Sequence, residues 1–124
     1  MKTFQEWLFQ SEYDLKTAEA MFDSGRYFYA AFMCHLSIEK CLKGLFTKIL
    51  NELPPKTHNL VYLLEKIGLQ APKYIYEFIY SINAESVATR YPEDLQQLLK
   101  DYTKEKASEI IKNSKEVLVW LKKD

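Results

Sequence analysis

The chain has few of the residues that most other fold classes require. It contains three glycines and four prolines among 124 residues, which is too few for the many tight turns of an all-β fold. Its formal net charge is zero, with 17 basic and 17 acidic residues, so it lacks the broad positive field of a nonspecific nucleic-acid binder. This balance argues against nucleic acid as a partner without excluding a local basic patch. No apolar run reaches about 18 residues, so we expect no membrane span.

Cysteine is also scarce. Cys34 and Cys41 stand seven positions apart on one predicted helix, which separates them by roughly 10 Å along its axis. That distance is too long for a disulfide, so we expect two small buried hydrophobes in a reducing compartment. Lys2, Glu6 and Glu12 interrupt the start of the chain, which argues against a signal peptide. We therefore expect a cytoplasmic protein.

The whole chain is 48% hydrophobic. Two long amphipathic helices are predicted in its first half. Thr3 and Glu6 have the spacing of a capping box, so the first helix should begin there. It should end at residues 23–25, where Gly25 can adopt the left-handed conformation. The second helix, about 26–50, is apolar on more than one side. We therefore place it at the centre of the fold, where its second apolar side could also meet a second subunit.

Shorter helices follow, after a connector that contains two prolines. Thr57 can cap a third helix that stops at Gly68, and Pro72 suits the first turn of a fourth helix with an apolar face up to Ile82. The pattern over 83–102 is irregular apart from a short helix near 95–99, and a last helix runs from Tyr102 or Thr103 to 121. The sequence therefore predicts one all-α domain over 1–124, an up-and-down bundle of four to five helices.

Two polar groups stand out near the centre of the chain. His35, Glu39 and Lys43 are spaced four apart and share one helical stripe. This pattern predicts either a polar strip facing a cleft or, as we favour, a Glu39–Lys43 surface pair with a histidine packed beside it. His58 follows the predicted cap Thr57. It could accept a hydrogen bond from a ligand, but we favour a structural role in holding the proline connector in place.

The irregular region contains one candidate for phosphate recognition. Arg90 could bind a phosphate with two hydrogen bonds, and Tyr91 could stack on a base. The only other arginine is Arg26, which opens the second helix. The alternative, which we favour, is a loop arginine that pairs with Glu93 or Asp94 or donates a hydrogen bond to a helix C-terminus.

Motifs for catalysis or metal binding are not found. The chain has neither a G-x-S-x-G elbow nor a glycine-rich phosphate loop. Its two histidines are 23 positions apart, and only Glu39 stands at a ligand-like spacing from one of them. We therefore expect no catalytic residue of a known motif, no metal and no cofactor other than a nucleotide ligand.

Five stretches follow one another along almost the whole chain in an order that is similar to one known family. They are Trp7 with 11–15 and Ala18, then 25–32, 35–43, 55–60, and 89–92 followed by 117–121. The third stretch ends in Glu39-Lys40-Cys41-Leu42-Lys43 and is similar to an E-K-x-L-K helix signature. Together they resemble the HEPN family, the helical domains named for higher eukaryotes and prokaryotes nucleotide-binding.

The resemblance implies an up-and-down bundle that usually dimerises and often pairs with a small nucleotidyltransferase. Some HEPN proteins are ribonuclease toxins whose active site is an arginine followed, after four to six residues, by a histidine. In this chain such a histidine would have to fall at 31–33 after Arg26 or at 95–97 after Arg90, and none does. The resemblance therefore implies the branch of the family that does not cleave RNA, and we do not expect an enzyme.

Three hypotheses remain from the sequence. The first is a homodimeric binding module that docks on a nucleotidyltransferase and contacts a nucleotide. In that module Tyr91 would stack on the base, and the other contacts would come from Arg90, Lys40, Lys43 and His58. The second is a divergent ribonuclease of a toxin–antitoxin pair, with His35 or His58 as general base and Arg90 stabilising charge. The third is a structural dimer whose exposed aromatic residues bind another protein.

Overall fold

The computed structural model describes residues 1–90 and 94–123, without the side chains of 86–90. This part of the chain folds into six helices and contains no strand: α1 (Phe4–Asp23), α2 (Tyr27–Leu50), α3 (Leu60–Ile67), α4 (Lys73–Arg90), α5 (Leu95–Asp101) and α6 (Lys104–Leu121). The predicted all-α bundle is confirmed, with six helices in place of four to five. None of the described helices is long and apolar enough to cross a membrane.

The ends of the first two helices follow from local sequence. The backbone N–H of Glu6 donates to Thr3 Oγ1 over 3.2 Å, and Glu6 Oε1 accepts from the backbone N–H of Thr3 over 2.9 Å. This is the predicted capping box, which satisfies two free N–H groups at the start of α1. Gly25 has a φ of 77°, as a left-handed residue after a helix requires. Gly68 ends α3 in the same way, with a φ of 82°.

The predicted start of α3 was wrong by two residues. Asn59, rather than Thr57, caps the helix, because its Oδ1 accepts the backbone N–H of Tyr62 over 3.0 Å. Thr57 Oγ1 instead accepts the backbone N–H of Asn59 and closes the turn before the helix. Asn83 of α4 adds a second cap, since its Oδ1 accepts the backbone N–H of Leu60 over 2.8 Å. An interhelix contact of this kind leaves no signal in the sequence next to Thr57.

The region predicted to be irregular is largely helical. α4 continues to Arg90, and the isoleucines Ile75, Ile79 and Ile82 are buried on it. The short helix predicted near 95–99 is confirmed as α5. α6 begins where it was predicted, since Thr103 Oγ1 accepts the backbone N–H of Lys106.

α2 lies at the centre of the bundle, as predicted. It contacts each of the five other described helices. Its buried side chains occupy all sides of its middle turns, and the largest fully buried ones are Ile38, Leu42, His35 and Glu39. Side chains on α2 can therefore be buried by contact with the other helices.

α1 and α2 approach each other closely. Ser11 Oγ donates to the backbone oxygen of Ser37 over 2.6 Å, and Ser37 Oγ donates to the backbone oxygen of Ser11 over 2.7 Å. Further along, a Cβ added at Gly44 would lie 2.9 Å from Trp7 Cβ and 3.1 Å from Phe4 Cδ1. The two helices can approach this closely because small residues stand at the crossing.

Both cysteines are free and buried within α2, as predicted. Burial raises the pKa of Cys34 to about 11 and that of Cys41 to about 12. A thiol with such a high pKa carries almost no thiolate at neutral pH, so neither cysteine has the character of a nucleophile.

Candidate functional site

The polar stripe of α2 surrounds a buried carboxylate. Glu39 is 2% exposed. Its Oε2 accepts a hydrogen bond from Lys43 Nζ over 3.2 Å, and its Oε1 lies 3.0 Å from His58 Nδ1 and 3.9 Å from His35 Nδ1. We call these four residues the Glu39 cluster. The favoured prediction of a Glu39–Lys43 pair at the surface was wrong, because the pair is buried and His58 from the connector lies on it.

The surroundings of Glu39 keep it ionised. Burial alone would raise the pKa of this carboxyl group, because a charge loses hydration inside a protein. The hydrogen bond from His58 and the charge of Lys43 outweigh burial and hold the pKa of Glu39 below its ordinary value. The negative charge of Glu39 is therefore balanced by neighbouring groups of the protein itself.

His58 joins the connector after α2 to this carboxylate. Because an ionised carboxylate accepts hydrogen bonds only, the ring must donate from Nδ1, which leaves Nε2 on the far side of the ring. The side chain is 55% exposed, so a ligand could reach Nε2. The contact fits the structural role that we favoured for His58, and it leaves the ligand role open through the second nitrogen.

A second ion pair, with a buried carboxylate, links α1 to α2. Asp14 is 5% exposed, and its Oδ2 lies 3.7 Å from Lys40 Nζ. Burial raises the pKa of Asp14 more than the charge of Lys40 lowers it, and the nearby charge of Glu39 raises it further. Lys40 and Lys43, both predicted to contact the nucleotide, are thus each engaged with an internal carboxylate.

Asp14 was not among the predicted site residues, although the sequence contained a signal for it. It stands on the buried face of α1, between Ser11 and Ala18. A carboxylate on a core-facing stripe needs an internal partner, because an unpaired buried charge is strongly unfavourable. Lys40 is that partner.

Arg90 and Tyr91 cannot be related to these clusters. Arg90 is the last residue of α4, but its side chain and the whole of Tyr91 lie outside the described residues. The predicted phosphate contact and base stack therefore stay predictions. Among the described residues, no group of three or more histidine, cysteine, aspartate or glutamate side chains could hold a metal ion.

Large aromatic side chains are exposed on several helices, most of all on α1 and α4. Phe9 and Tyr13 are 74% and 66% exposed on α1, and Tyr74 and Tyr80 are 61% and 62% exposed on α4. Such residues are typical of surfaces that bind other proteins. This distribution fits a domain that makes contacts on more than one side.

Comparison with known proteins agrees with the fold. A family model described as the HEPN domain matches residues 4–124. The chain is similar to the crystal structure of ST0689, an archaeal HEPN homologue, with 27% identity, 98% of this chain and 97% of that chain covered, and a TM-score of 0.79. It also shares the fold of TT1696 from Thermus thermophilus, with 23% identity, the same coverage and a TM-score of 0.83. No curated protein matches it. The family resemblance is confirmed, and the chain belongs to the HEPN family.

Proposed function

We propose that this chain is a HEPN binding module that does not cleave RNA, associates with a nucleotidyltransferase and contacts its nucleotide. The position of the two histidines carries the proposal. His35 is 1% exposed inside the bundle, and His58 is bound to Glu39 through Nδ1. Neither histidine follows an arginine at the spacing of the ribonuclease site. Both support the fold, which suits a module that binds rather than one that cleaves.

The proposed nucleotide contacts fall into two groups. Lys40 and Lys43 would have to leave Asp14 and Glu39 before either could bind a phosphate directly. Losing the partner of a buried charge is expensive, so we assign these lysines to the fold. Arg90, Tyr91 and the Nε2 atom of His58 are the direct contacts that remain, with Arg90 on phosphate and Tyr91 on the base.

The nucleotide part is tested by thermal unfolding of the purified protein with a panel of nucleotides. A ligand that binds only the folded state stabilises it by RT ln(1 + [L]/Kd), which is about 2.7 kcal/mol when the ligand is at 100 times Kd. We expect one nucleotide to raise Tm and Arg90→Ala to remove the rise. Arg26→Ala is the matched control, because Arg26 is exposed and its side chain makes no capping hydrogen bond. An unchanged rise in Arg90→Ala would contradict the assignment of Arg90.

The partner part needs a separate measurement. An affinity-tagged chain expressed in its native cells should co-purify with a nucleotidyltransferase, and mass spectrometry of the eluate would identify it. Recovery of the chain without any such enzyme would count against the partnership, whatever the nucleotides do.

One observation favours a second function. A half-exposed histidine held by a buried carboxylate is also the arrangement of a general base, as the ribonuclease hypothesis requires of His58. Cleavage of single-stranded RNA that is lost in His58→Gln would support this function. Intact RNA at high protein concentration would exclude it.

A further inference from the structure

Three side chains meet where α4, α5 and α6 come together. Glu85 of α4 lies with its Oε1 2.8 Å from Nζ of Lys106 on α6. The same Nζ lies 4.3 Å from the ring centroid of Tyr102, the residue that ends α5. The hydroxyl of Tyr102 donates a hydrogen bond to Glu85. Each of the three therefore contacts the other two, and we call them the Glu85 clamp.

Tyr102 is the buried member of the clamp. It is 3% exposed, and its ring centroid lies 6.4 Å from that of Phe28 on α2. Burial raises the pKa of its hydroxyl, and the negative charge of Glu85 and the hydrogen bond to Glu85 raise the pKa further. The hydroxyl therefore stays protonated and remains a donor.

The strength of the clamp comes from the combination of its contacts. The side chains of Glu85 and Lys106 are 31% and 38% exposed, and an ion pair of that exposure contributes little by itself. Tyr102 adds a hydrogen bond to a charged acceptor, which is stronger than one between neutral groups. Its ring adds a cation–π contact with Lys106.

α5 has few other contacts that fix its position. It has seven residues and no buried side chain, and a helix of that length is marginal in water without tertiary contacts. Leu95 and Leu99 are 48% and 57% exposed, whereas Leu98 is partly buried against the core. Tyr102, four positions after Leu98, lies on the same side of the helix. The position of α5 therefore depends on Tyr102 and, through it, on the clamp.

The clamp also joins the two ends of one segment of the chain. Glu85 precedes the segment 86–101, and Tyr102 follows it. This segment contains α5 and the two proposed nucleotide contacts, Arg90 and Tyr91. Holding the ends of a segment together reduces the number of conformations open to it, and a preorganised segment loses less entropy when it binds a ligand.

We propose that the Glu85 clamp holds α5 on the bundle, and that its members are positioning residues for the nucleotide contacts of Arg90 and Tyr91. The first part rests only on the contacts of the clamp. The second part rests on the nucleotide-binding function proposed above. In that role the three side chains act without touching the ligand.

Hydrogen–deuterium exchange tests the clamp without any ligand. Lys106→Met keeps most of the length of the side chain but removes the charge that contacts Glu85 and Tyr102. We expect the backbone amides of α5 to exchange roughly tenfold faster than in the wild type, the scale of losing a hydrogen bond to a charged group. The amides in the middle of α2 should keep their wild-type exchange rates.

Two further variants separate the clamp from a general loss of stability. Lys106→Arg retains a cation that can bind Glu85 and stack on Tyr102, so α5 should keep its wild-type exchange rate. Lys112→Met removes an exposed lysine nearly two turns further along α6 and should also leave that rate unchanged. The proposal is overturned if α5 exchanges at the wild-type rate in Lys106→Met, or if Lys112→Met speeds its exchange equally. It is also overturned if α5 of the wild type exchanges as fast as an unfolded chain.

Nucleotide affinity tests the positioning role. Calorimetric titration with the four ribonucleoside triphosphates gives Kd for whichever of them binds. We expect Kd to rise several-fold in Lys106→Met and in Tyr102→Phe, which removes only the hydroxyl, and to stay at the wild-type value in Lys106→Arg. An unchanged Kd beside faster exchange of α5 would overturn the positioning role alone. If the wild type binds none of the four, the proposed nucleotide binding fails and the positioning role with it, whereas the exchange rates still decide whether the clamp holds α5.

Discussion

Replacing Glu39 with alanine is expected to lower the free energy of unfolding by about 3 kcal/mol, the scale measured when one partner of a buried ion pair is removed. The change leaves Lys43, whose side chain is 10% exposed, without its carboxylate, and it removes the partner that His58 binds. Urea unfolding followed by circular dichroism gives the free energy directly.

The control for this prediction is a glutamate that lies on the surface of a helix. Glu116→Ala removes an exposed carboxylate from α6 and should change the free energy of unfolding by no more than about 0.5 kcal/mol. If Glu39→Ala cost as little as Glu116→Ala, the Glu39 cluster would not contribute to stability.

The effect of Glu39 should depend on pH in a known direction. Its pKa is lower in the folded chain than the ordinary 4.5, so its stabilisation is fully present above that value and is lost as pH falls through the folded pKa. The difference in stability between the wild type and Glu39→Gln should therefore shrink below about pH 4.5. Asp14 acts in the opposite sense, because its pKa is raised on folding. Comparing the two proteins cancels the part of the Asp14 contribution that does not depend on the charge of Glu39.

Gly44→Ala is expected to destabilise the protein by about 1–3 kcal/mol, as overfilling a packed contact does. The added methyl group would lie 2.9 Å from Trp7 Cβ, an atom fixed to the backbone of α1, so the two helices would have to move apart. At an open helical position the same change would stabilise by about 0.5–1 kcal/mol. The sign of the change in free energy of unfolding thus reports on the packing of α1 against α2.

An exposed helical site provides the reference for that sign. Ser108→Ala on α6 adds no contact and improves helix propensity by a few tenths of a kcal/mol at most. If Gly44→Ala also stabilised the protein, that result would contradict the close approach of α1 and α2.

Local patterns predicted much of the fold. The capping box at Thr3, the left-handed Gly25 and the stop at Gly68 each depend on residues within one turn of the helix end. Such signals can be read from the sequence because their partners are sequence neighbours. The cap of α3 was missed because part of it comes from Asn83, which is 23 positions from Leu60.

The candidate site was less predictable for the same reason. Spacing placed Glu39 and Lys43 on one stripe, but it could not show that the stripe is buried. The contact with His58, which is 19 positions from Glu39, forms only in the folded chain. Asp14 and Lys40 are likewise brought together only by the packing of α1 on α2. Helical periodicity finds the members of one face, whereas pairs between faces require the tertiary structure.

The reciprocal serine bonds between α1 and α2 have a consequence for the order of folding. They join two helices that are separated only by residues 24–26. The hairpin of α1 and α2 therefore forms around a short connection, which keeps its loop-closure entropy low. We expect this hairpin to be formed in the transition state, so that Ser37→Ala slows folding more than it speeds unfolding. Val117→Ala in α6, which is distant in sequence, should mainly speed unfolding. Folding and unfolding rates measured across a denaturant series would distinguish these two effects. Under this order, α1 and α2 form the template on which α6 later docks.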